Sequence, residues 1–138
     1  MKAIVYERYG SPDRLEVRCV ATPTVKPDGV LVRVHASSVS RSDWEVLTAR
    51  PAYVRASGAG FWKPKNQILG SDVAGTVEAV GEDVAGFRPG DEVLADTMRF
   101  GAAAFAEYAA VPERAPLVPK PPDLSFEDAA TLPQAALL

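Results

Sequence analysis

The amino-acid sequence predicts a mainly β fold, either a small β-barrel or a β-sandwich. Several short segments alternate apolar and polar residues at the two-residue period of a pleated strand. Turn signals rich in Gly, Pro and Asp separate these segments, and no long helical period occurs before the last residues. Together these observations favour a barrel or sandwich over a doubly wound sheet, in which strands would alternate with helices.

Size and composition are consistent with one globular domain. A chain of 138 residues can bury a hydrophobic core without disulfides or a structural metal. The hydrophobic fraction is 47% and the formal net charge is -3, which argues against binding to nucleic acid or to an anionic membrane. No apolar run approaches a membrane span or a signal-peptide core, and we expect a cytoplasmic protein.

Two strands are expected near the N-terminus. The first is Lys2–Tyr6, and the second, Leu15–Val20, follows a turn at residues 8–13. Cys19 lies in phase with Val17, so we expect a small buried hydrophobe rather than a reactive thiol. Because Cys19 is the only cysteine, the sequence offers neither a disulfide framework nor a cysteine-based zinc site.

The clearest strand is the run GVLVRVHASSV, which follows Asp28. Its apolar positions alternate and should line one face, at Val30, Val32, Val34 and Ala36. His35 lies on the other, mixed face, so we expect a structural or surface histidine rather than a catalytic one.

A polar segment, residues 37–45, follows this strand, and we call it the elbow. Ser42 with Glu45 three residues later matches a capping box that would open a short helix ending at Leu47. Polar side chains after a rigid strand favour a functional site. Caps and turn hydroxyls explain any single serine equally well.

A long loop, Ala49 to Gln67, interleaves aromatic and cationic side chains. Loops of this length are usually lids, binding loops or disordered segments, and the aromatic residues argue against plain disorder. The cations could meet an anionic cofactor or simply keep the loop solvated. The residues concerned are Tyr53, Phe61 and Trp62 together with Arg50, Arg55, Lys63 and Lys65.

The central segment, Gly70 to Asp96, predicts two strands joined by tight turns. The first runs from Val73 to Val80, and the second, Glu92 to Ala95, follows a chain reversal in which Gly90 should take a positive φ. Gly75 lies in the middle of the first strand. It therefore indicates either a bend of the barrel or the close approach of a ligand.

The C-terminal part is expected to contain one more strand and then short helices. Residues 104–111 predict the strand, and five prolines then predict an extended connection. Ser125 with Asp128 matches an N-cap for a helix over residues 126–132. Residues 134–138 resemble the start of another apolar helix without a continuation, so we expect the sequence to stop inside a larger architecture.

Several of these segments resemble the N-terminal GroES-like domain of the medium-chain dehydrogenase/reductase superfamily, specifically its zinc-free, quinone-oxidoreductase-like members. The matching motifs are MKAIVYERYG, VRVHASSVSRSDW, ILGSDVAGTVEAVGEDVAGFRPGDEVLA, AFAEYAAVP and LSFEDAATLP, in this order. The resemblance implies a GroES-like, partly open β-barrel with short helices over residues 1–124. Residues 125–138 would begin a helical connection to a Rossmann domain that is absent from this chain.

The expectation of a zinc-free site comes from two positions. Zinc-dependent members of the superfamily carry a cysteine where this chain has Ser40, and Gly-His-Glu where it has Gly70-Ser71-Asp72. A hydroxyl is a poor zinc ligand beside a thiolate or an imidazole. We therefore expect no metal.

The resemblance also assigns site residues. Ser40 and Asp43 would lie near the nicotinamide and the substrate, and Thr131 would contribute to cofactor binding. Ser40, Tyr53 and bound water are candidates for hydrogen-bond donation to a substrate carbonyl, and Asp43 would orient the elbow or act only as a helix-start acid. An apolar wall for the substrate is expected from Trp44 with Phe61 or Trp62.

The function implied is that of an NAD(P)H-dependent, zinc-independent oxidoreductase that reduces quinones or α,β-unsaturated carbonyls by hydride transfer. NADP or NAD would be bound mainly by the absent domain, since no G-x-G-x-x-G turn occurs here. The expected partners are this cofactor, a small carbonyl or quinone, and either a second copy or a separate Rossmann chain. The alternative is a non-catalytic truncated or split module, with an interface at Leu132, Leu137 and Leu138.

Overall fold

The computed structural model describes residues 1–101 and 103–136, and of residues 57 and 58 it describes the backbone only. The strands of this part are β1 (Lys2–Val5), β2 (Glu16–Cys19), β3 (Gly29–Ala36), β4 (Asp72–Val80), β5 (Glu92–Asp96), β6 (Tyr108–Pro112) and β7 (Leu117–Pro119). Its helices are α1 (Arg41–Thr48), α2 (Phe126–Ala129) and α3 (Pro133–Ala136), besides single turns at Pro12–Arg14, Arg55–Ala59 and Met98–Phe100. None of these helices has the length and apolar character needed to cross a membrane.

Two antiparallel sheets account for the strands, which confirms the mainly β prediction. The larger sheet has five strands in the order β6-β3-β4-β5-β7, and β1 pairs with β2. Although β6 and β7 form opposite edges, Val111 of β6 and Leu117 of β7 pack in the same hydrophobic core. The sheet therefore coils around that core as a partly open barrel, as predicted.

The core consists of the valines that the alternating pattern points inward. Side chains with 0% exposure include those of Val30, Val32, Val73 and Val93. Burying each such side chain stabilises the fold by about 1.5–3 kcal/mol relative to leaving it in water. Three adjacent strands, β3 to β5, thus form a rigid platform. The elbow follows the end of β3, and the Gly70-Ser71-Asp72 segment leads into β4.

Ala36 does not share the face of Val30, Val32 and Val34, so this part of the strand prediction was wrong. The register shifts near the end of β3, where Val34 pairs with Gly75 but Ala36 pairs with Ala74. The extra residue is a bulge, and it moves Ala36 to the opposite face of the sheet. There it packs in a second cluster with Ala74 and the α2 residue Ala129.

The prediction that Cys19 is buried was also wrong. Every residue of β2 is exposed, Val17 to 73%, because β2 pairs only with β1 among the described strands and no second layer covers it. His35 is at the surface, as expected, with its ring stacked 4.2 Å from that of Phe126.

Two segments of the C-terminal part differ from their predictions. The proline-rich segment after β6 includes β7, an edge strand that ends at Pro119, a position where a missing N–H is tolerated. The Ser125 N-cap was predicted correctly, but the helix expected over residues 126–132 was too long, because α2 ends at Ala129 and the separate helix α3 begins at Pro133. Leu137 and Leu138 lie outside the described residues.

Only glycine fits at position 75, because the backbone of the paired strand β3 lies too close for a side chain. A Cβ atom at this position would lie 2.1 Å from the carbonyl oxygen of Arg33 and 2.8 Å from Cγ1 of Val32 on the paired strand. The close approach is therefore between β3 and β4, which decides for a bend of the barrel over a ligand. Gly90 has a φ of 96°, as the predicted turn requires.

We expect Gly75→Ala to lower the free energy of unfolding by about 3 kcal/mol, since the new methyl group meets backbone that cannot move without separating the strands. Gly86→Ala is the matched control, because its Cβ would meet only the end of the Glu113 side chain, at 3.0 Å. Urea unfolding followed by circular dichroism measures both. Equal stability of the two variants would contradict the account given for Gly75.

Candidate functional site

Helix α1 begins with a capping box, but not the predicted one. Ser40 is the N-cap: its backbone N–H donates to Asp43 Oδ2 at 2.8 Å, and its Oγ accepts from the Asp43 N–H at 3.4 Å. Glu45 pairs with Arg41 at 2.8 Å instead. The sequence contains two overlapping Ser-x-x-acid matches, and the chosen one was wrong because the backbone is still extended at Ser40 and already helical at Ser42.

Asp43 ties the elbow to the start of β4. Its side chain is 5% exposed, and its Oδ2 also accepts from Ser40 Oγ at 2.9 Å. Its other oxygen, Oδ1, accepts from the backbone N–H of Gly70 at 3.2 Å. Because the Gly70 contact lies outside the helix, Asp43 is more than a helix-start acid and fixes where the elbow sits.

A second buried carboxylate, that of Asp72, joins the elbow to the C-terminal helices. Asp72 is 2% exposed, and its Oδ2 accepts from Ser38 Oγ at 2.6 Å while its Oδ1 accepts from the Gln134 backbone N–H at 3.0 Å. Ser37 Oγ donates to the Asp72 carbonyl at 2.6 Å. Sequence reasoning treated Asp72 only as part of a missing zinc motif. The signal available was an acid at the start of an apolar strand.

Burial perturbs two titrating groups around the elbow. It raises the pKa of the Asp72 carboxyl, which Asp96 and Asp43 raise further and which the hydrogen bonds from Ser38 and Gln134 partly offset. Burial also raises the pKa of the Tyr6 phenol well above its ordinary value, with added contributions from Tyr9 and Asp43. Tyr6 is therefore protonated at neutral pH.

Two predicted cofactor contacts direct their hydroxyl protons into the protein. Ser40 Oγ donates to Asp43, and Thr131 Oγ1 donates to the Asp128 carbonyl at 2.7 Å. A hydroxyl has one proton and two lone pairs, so in this arrangement both side chains can only accept from a bound molecule. Tyr53 is 64% exposed, and its hydroxyl makes no hydrogen bond to the described residues.

An open groove of about 810 Å³ is lined by residues of α1 and of the loop that follows it, and we call it the aromatic groove. Trp44 and Phe61 line it, whereas Tyr53 and Trp62 do not. Trp62 instead packs edge-on against Phe61, with ring centroids 5.1 Å apart, and is 89% exposed. The structure thus brings two of the three predicted wall residues to one surface and leaves Trp62 at its margin.

The loop that walls the aromatic groove is held by Tyr9. Its hydroxyl lies 2.9 Å from the carbonyl oxygen of Ala59 and 2.6 Å from that of Gly60, so its proton can be shared between them. The guanidinium carbon of Arg55 lies 5.4 Å from the centre of the Tyr9 ring. Sequence reasoning missed Tyr9, because its role depends on a contact between residues about 50 positions apart.

The residues at the positions of the zinc ligands do not fit a zinc ion. Ser40 and Ser71 offer hydroxyls, and both carboxylate oxygens of Asp72 already accept hydrogen bonds. Ser71 Oγ is buried without a hydrogen-bond partner in the described part of the chain. No group of three His, Cys, Asp or Glu side chains there could hold a metal, and thiolate and imidazole are lacking from the set.

Residues 26–122 match the alcohol dehydrogenase GroES-like domain family. The chain belongs to this family. A 2-methylene-furan-3-one reductase of Solanum lycopersicum is 38% identical over 98% of this GroES-like chain and 34% of its own length. An NADPH-dependent alkenal/one oxidoreductase, chloroplastic, of Arabidopsis thaliana is 35% identical over 98% of the chain and 35% of its own length.

The fold of this GroES-like chain also matches a solved structure, that of the quinone oxidoreductase from Coxiella burnetii. The TM-score is 0.85 at 28% identity, over 99% of the chain and 42% of that protein. These comparisons confirm the resemblance to the medium-chain dehydrogenase/reductase superfamily and the GroES-like fold class. The chain spans about a third of the length of the two curated relatives.

We expect Ser40→Ala to lower the free energy of unfolding by about 1 kcal/mol, since α1 loses its N-cap. Ser42→Ala, two positions along, should change it by less than about 0.5 kcal/mol. Urea unfolding compares the two variants. A larger loss in Ser42→Ala would support the capping box predicted from the sequence instead.

Asp72 should make the domain less stable as the pH rises. Its pKa is raised above the ordinary 3.8, so the folded state holds the proton more tightly than the unfolded state. Stability from this group is therefore full below 3.8 and is lost as the pH passes through the raised value.

Asp72→Asn removes this titration, and its amide can still bond Ser38 and the Gln134 N–H. The wild type loses stability through Asp72 as the pH rises, and the variant does not. The free energy of unfolding of the variant minus that of the wild type should therefore increase from pH 4 upward, as measured by urea unfolding across a pH series. Asp83→Asn, at an exposed turn position, is the control. A constant difference between Asp72→Asn and the wild type would exclude the assigned titration.

Proposed function

We propose that this chain forms one wall of the active-site cleft of an NAD(P)H-dependent, zinc-independent oxidoreductase that reduces quinones or α,β-unsaturated carbonyls. The observation that carries the proposal is the network of Ser40, Asp43 and Gly70, which builds a rigid elbow from hydrogen bonds at a position where zinc-dependent relatives use a thiolate. The names of the relatives, a reductase and two oxidoreductases, support the same reaction class.

The nicotinamide cofactor would supply the hydride to the quinone or to the β-carbon of the enone. Without a metal ligand set, polarisation of the substrate carbonyl depends on hydrogen-bond donors and positioning. The proton of Ser40 is directed to Asp43, so donation falls to bound water, and Tyr53, which does not line the aromatic groove, is the weaker candidate. Trp44 and Phe61 would hold a planar substrate by its faces.

The residues of this chain would make only a few of the contacts to the cofactor. Thr131 and Ser40 present lone pairs, which suit an N–H donor such as the carboxamide of the nicotinamide. The phosphates would be bound by a Rossmann domain, which residues 125–138 would reach. The contact of Gln134 with Asp72 supports that assignment, because it seats the connection beside the elbow. A cytoplasmic location stays a prediction.

Activity with the product of the complete coding sequence tests the proposal. We expect NADPH oxidation, followed at 340 nm, in the presence of a quinone or an enone, and we expect it to survive a zinc chelator. Loss of activity with the chelator would contradict zinc independence. An in-frame stop after Leu138 together with no NADPH oxidation would favour the non-catalytic module.

Asp43→Asn tests the elbow. Either orientation of the new amide sets its N–H₂ against a backbone N–H, that of Ser40 or that of Gly70, so one anchor must break. We expect kcat/KM to fall at least about tenfold, the effect of about 1.4 kcal/mol in the transition state. Glu45→Gln, on the same helix, should retain activity. Equal kcat/KM for the wild type and Asp43→Asn would remove Asp43 from the site.

A further inference from the structure

We propose that the aromatic groove binds planar aromatic molecules that carry an anionic substituent, and that Arg50 and Arg55 recognise the anion. That these molecules are substrates of the oxidoreductase rests on the proposed function. That the groove binds them is argued from the residues of the groove alone. The ligand chemistry is a flat apolar ring system with a carboxylate or sulfonate at its edge.

The charge of the groove is one-sided. Arg50 and Arg55 both line it, and among the described residues no Asp or Glu does. Neither guanidinium forms a salt bridge within the described residues, whereas Arg18, Arg33 and Arg114 each pair with a carboxylate. Two guanidinium groups without an acidic partner keep their planar donor forks available for an anion.

The rest of the lining is apolar and aromatic. Trp44 and Phe61 are 55% and 61% exposed, so two large rings face the open groove instead of the core. Ala49 and Ala52 also line the groove. The volume of about 810 Å³ lies within the usual range of about 300–1,000 Å³ for small-molecule sites, which favours a mono- or bicyclic ligand over a macromolecule.

Contacts fix the Arg55 guanidinium and the backbone of Arg50. Arg55 lies over the Tyr9 ring, and the hydroxyl of Tyr9 binds the end of the same loop at Ala59. Arg50 follows the left-handed C-cap residue of α1, Ala49, and its backbone N–H donates to the Glu45 carbonyl at 3.1 Å. The groove is thus largely formed before a ligand binds, which lowers the entropy lost on binding.

Two sources could supply an anion on a planar ring: an aromatic acid or the phosphorylated end of a nucleotide. The apolar lining favours the aromatic acid, because the ribose of a nucleotide would separate its phosphates from the base and bring hydroxyls against Trp44 and Phe61. Titration with both kinds of ligand distinguishes the two sources.

The test is calorimetric titration of the 138-residue chain at low ionic strength with three probes. These are 2-naphthoate, its neutral isostere 2-naphthamide, and adenosine 2′,5′-bisphosphate. We expect 2-naphthoate to bind about tenfold more tightly than 2-naphthamide, a preference of about 1.4 kcal/mol that two exposed ion pairs together can supply. The preference should shrink in 0.5 M NaCl, where charges are screened beyond a few Å.

The double variant Arg50→Gln, Arg55→Gln should bind 2-naphthoate and 2-naphthamide equally. The double variant Arg88→Gln, Arg99→Gln, which removes the same two charges at exposed positions outside the groove, should retain the tenfold preference. Thermal unfolding verifies that each variant is folded. Trp44→Ala should weaken both naphthalene probes, because it removes the ring surface that they share.

Equal binding of the two naphthalene probes by the wild type, or no binding of either, would overturn the inference. A tighter complex with adenosine 2′,5′-bisphosphate that displaces 2-naphthoate would assign the cations to a nucleotide and also overturn it. Failure of the proposed function has a different signature, the absence of NADPH oxidation with neutral and anionic quinones alike. If only the inference fails, NADPH oxidation remains and is equally fast with neutral and with anionic quinones.

Discussion

The site depends on one constraint: two carboxylates are buried, and each must receive hydrogen bonds where it lies. An unpaired buried charge is strongly destabilising, so the chain is held to arrangements that bring donors to Asp43 and Asp72. Asp43 receives them from Ser40 and Gly70, and Asp72 receives them from Ser38 and Gln134. The elbow, the start of β4 and helix α3 are consequently fixed relative to one another by two side chains.

The same constraint limits the chemistry of this wall. Hydroxyl protons that satisfy internal acceptors are not available to a bound molecule, so Ser40 and Thr131 present lone pairs. Ser71, where a histidine ligand would stand, is fully buried. In the aromatic groove, rings and guanidinium groups take the place of metal ligands as the means of recognition that we propose.

Sequence reasoning was reliable where a feature is local. The alternating strands, the turn at Gly90 and the Ser125 cap follow from residue spacing alone. It was unreliable where one residue of register or a distant contact decides: the bulge that turns Ala36, the choice between two caps, and the exposure of Cys19. The roles of Asp72 and Tyr9 depend on partners 34 to 62 positions away, so the sequence could at most mark Asp72 as an acid at the start of an apolar strand.

Adjacent residues of α1 have different surroundings, since Asp43 is buried and anchors the fold whereas Trp44 is exposed and lines the groove. Substitutions at an exposed position such as Trp44 usually change the free energy of unfolding by no more than about 0.5 kcal/mol. Substitution of the buried Asp43 would break hydrogen bonds that hold the fold. A lineage could therefore alter ligand preference at Trp44, Arg50 or Phe61 without rebuilding the scaffold. Evolvability of this domain would then be concentrated in a few side chains of one surface, which are also the natural targets for a directed library.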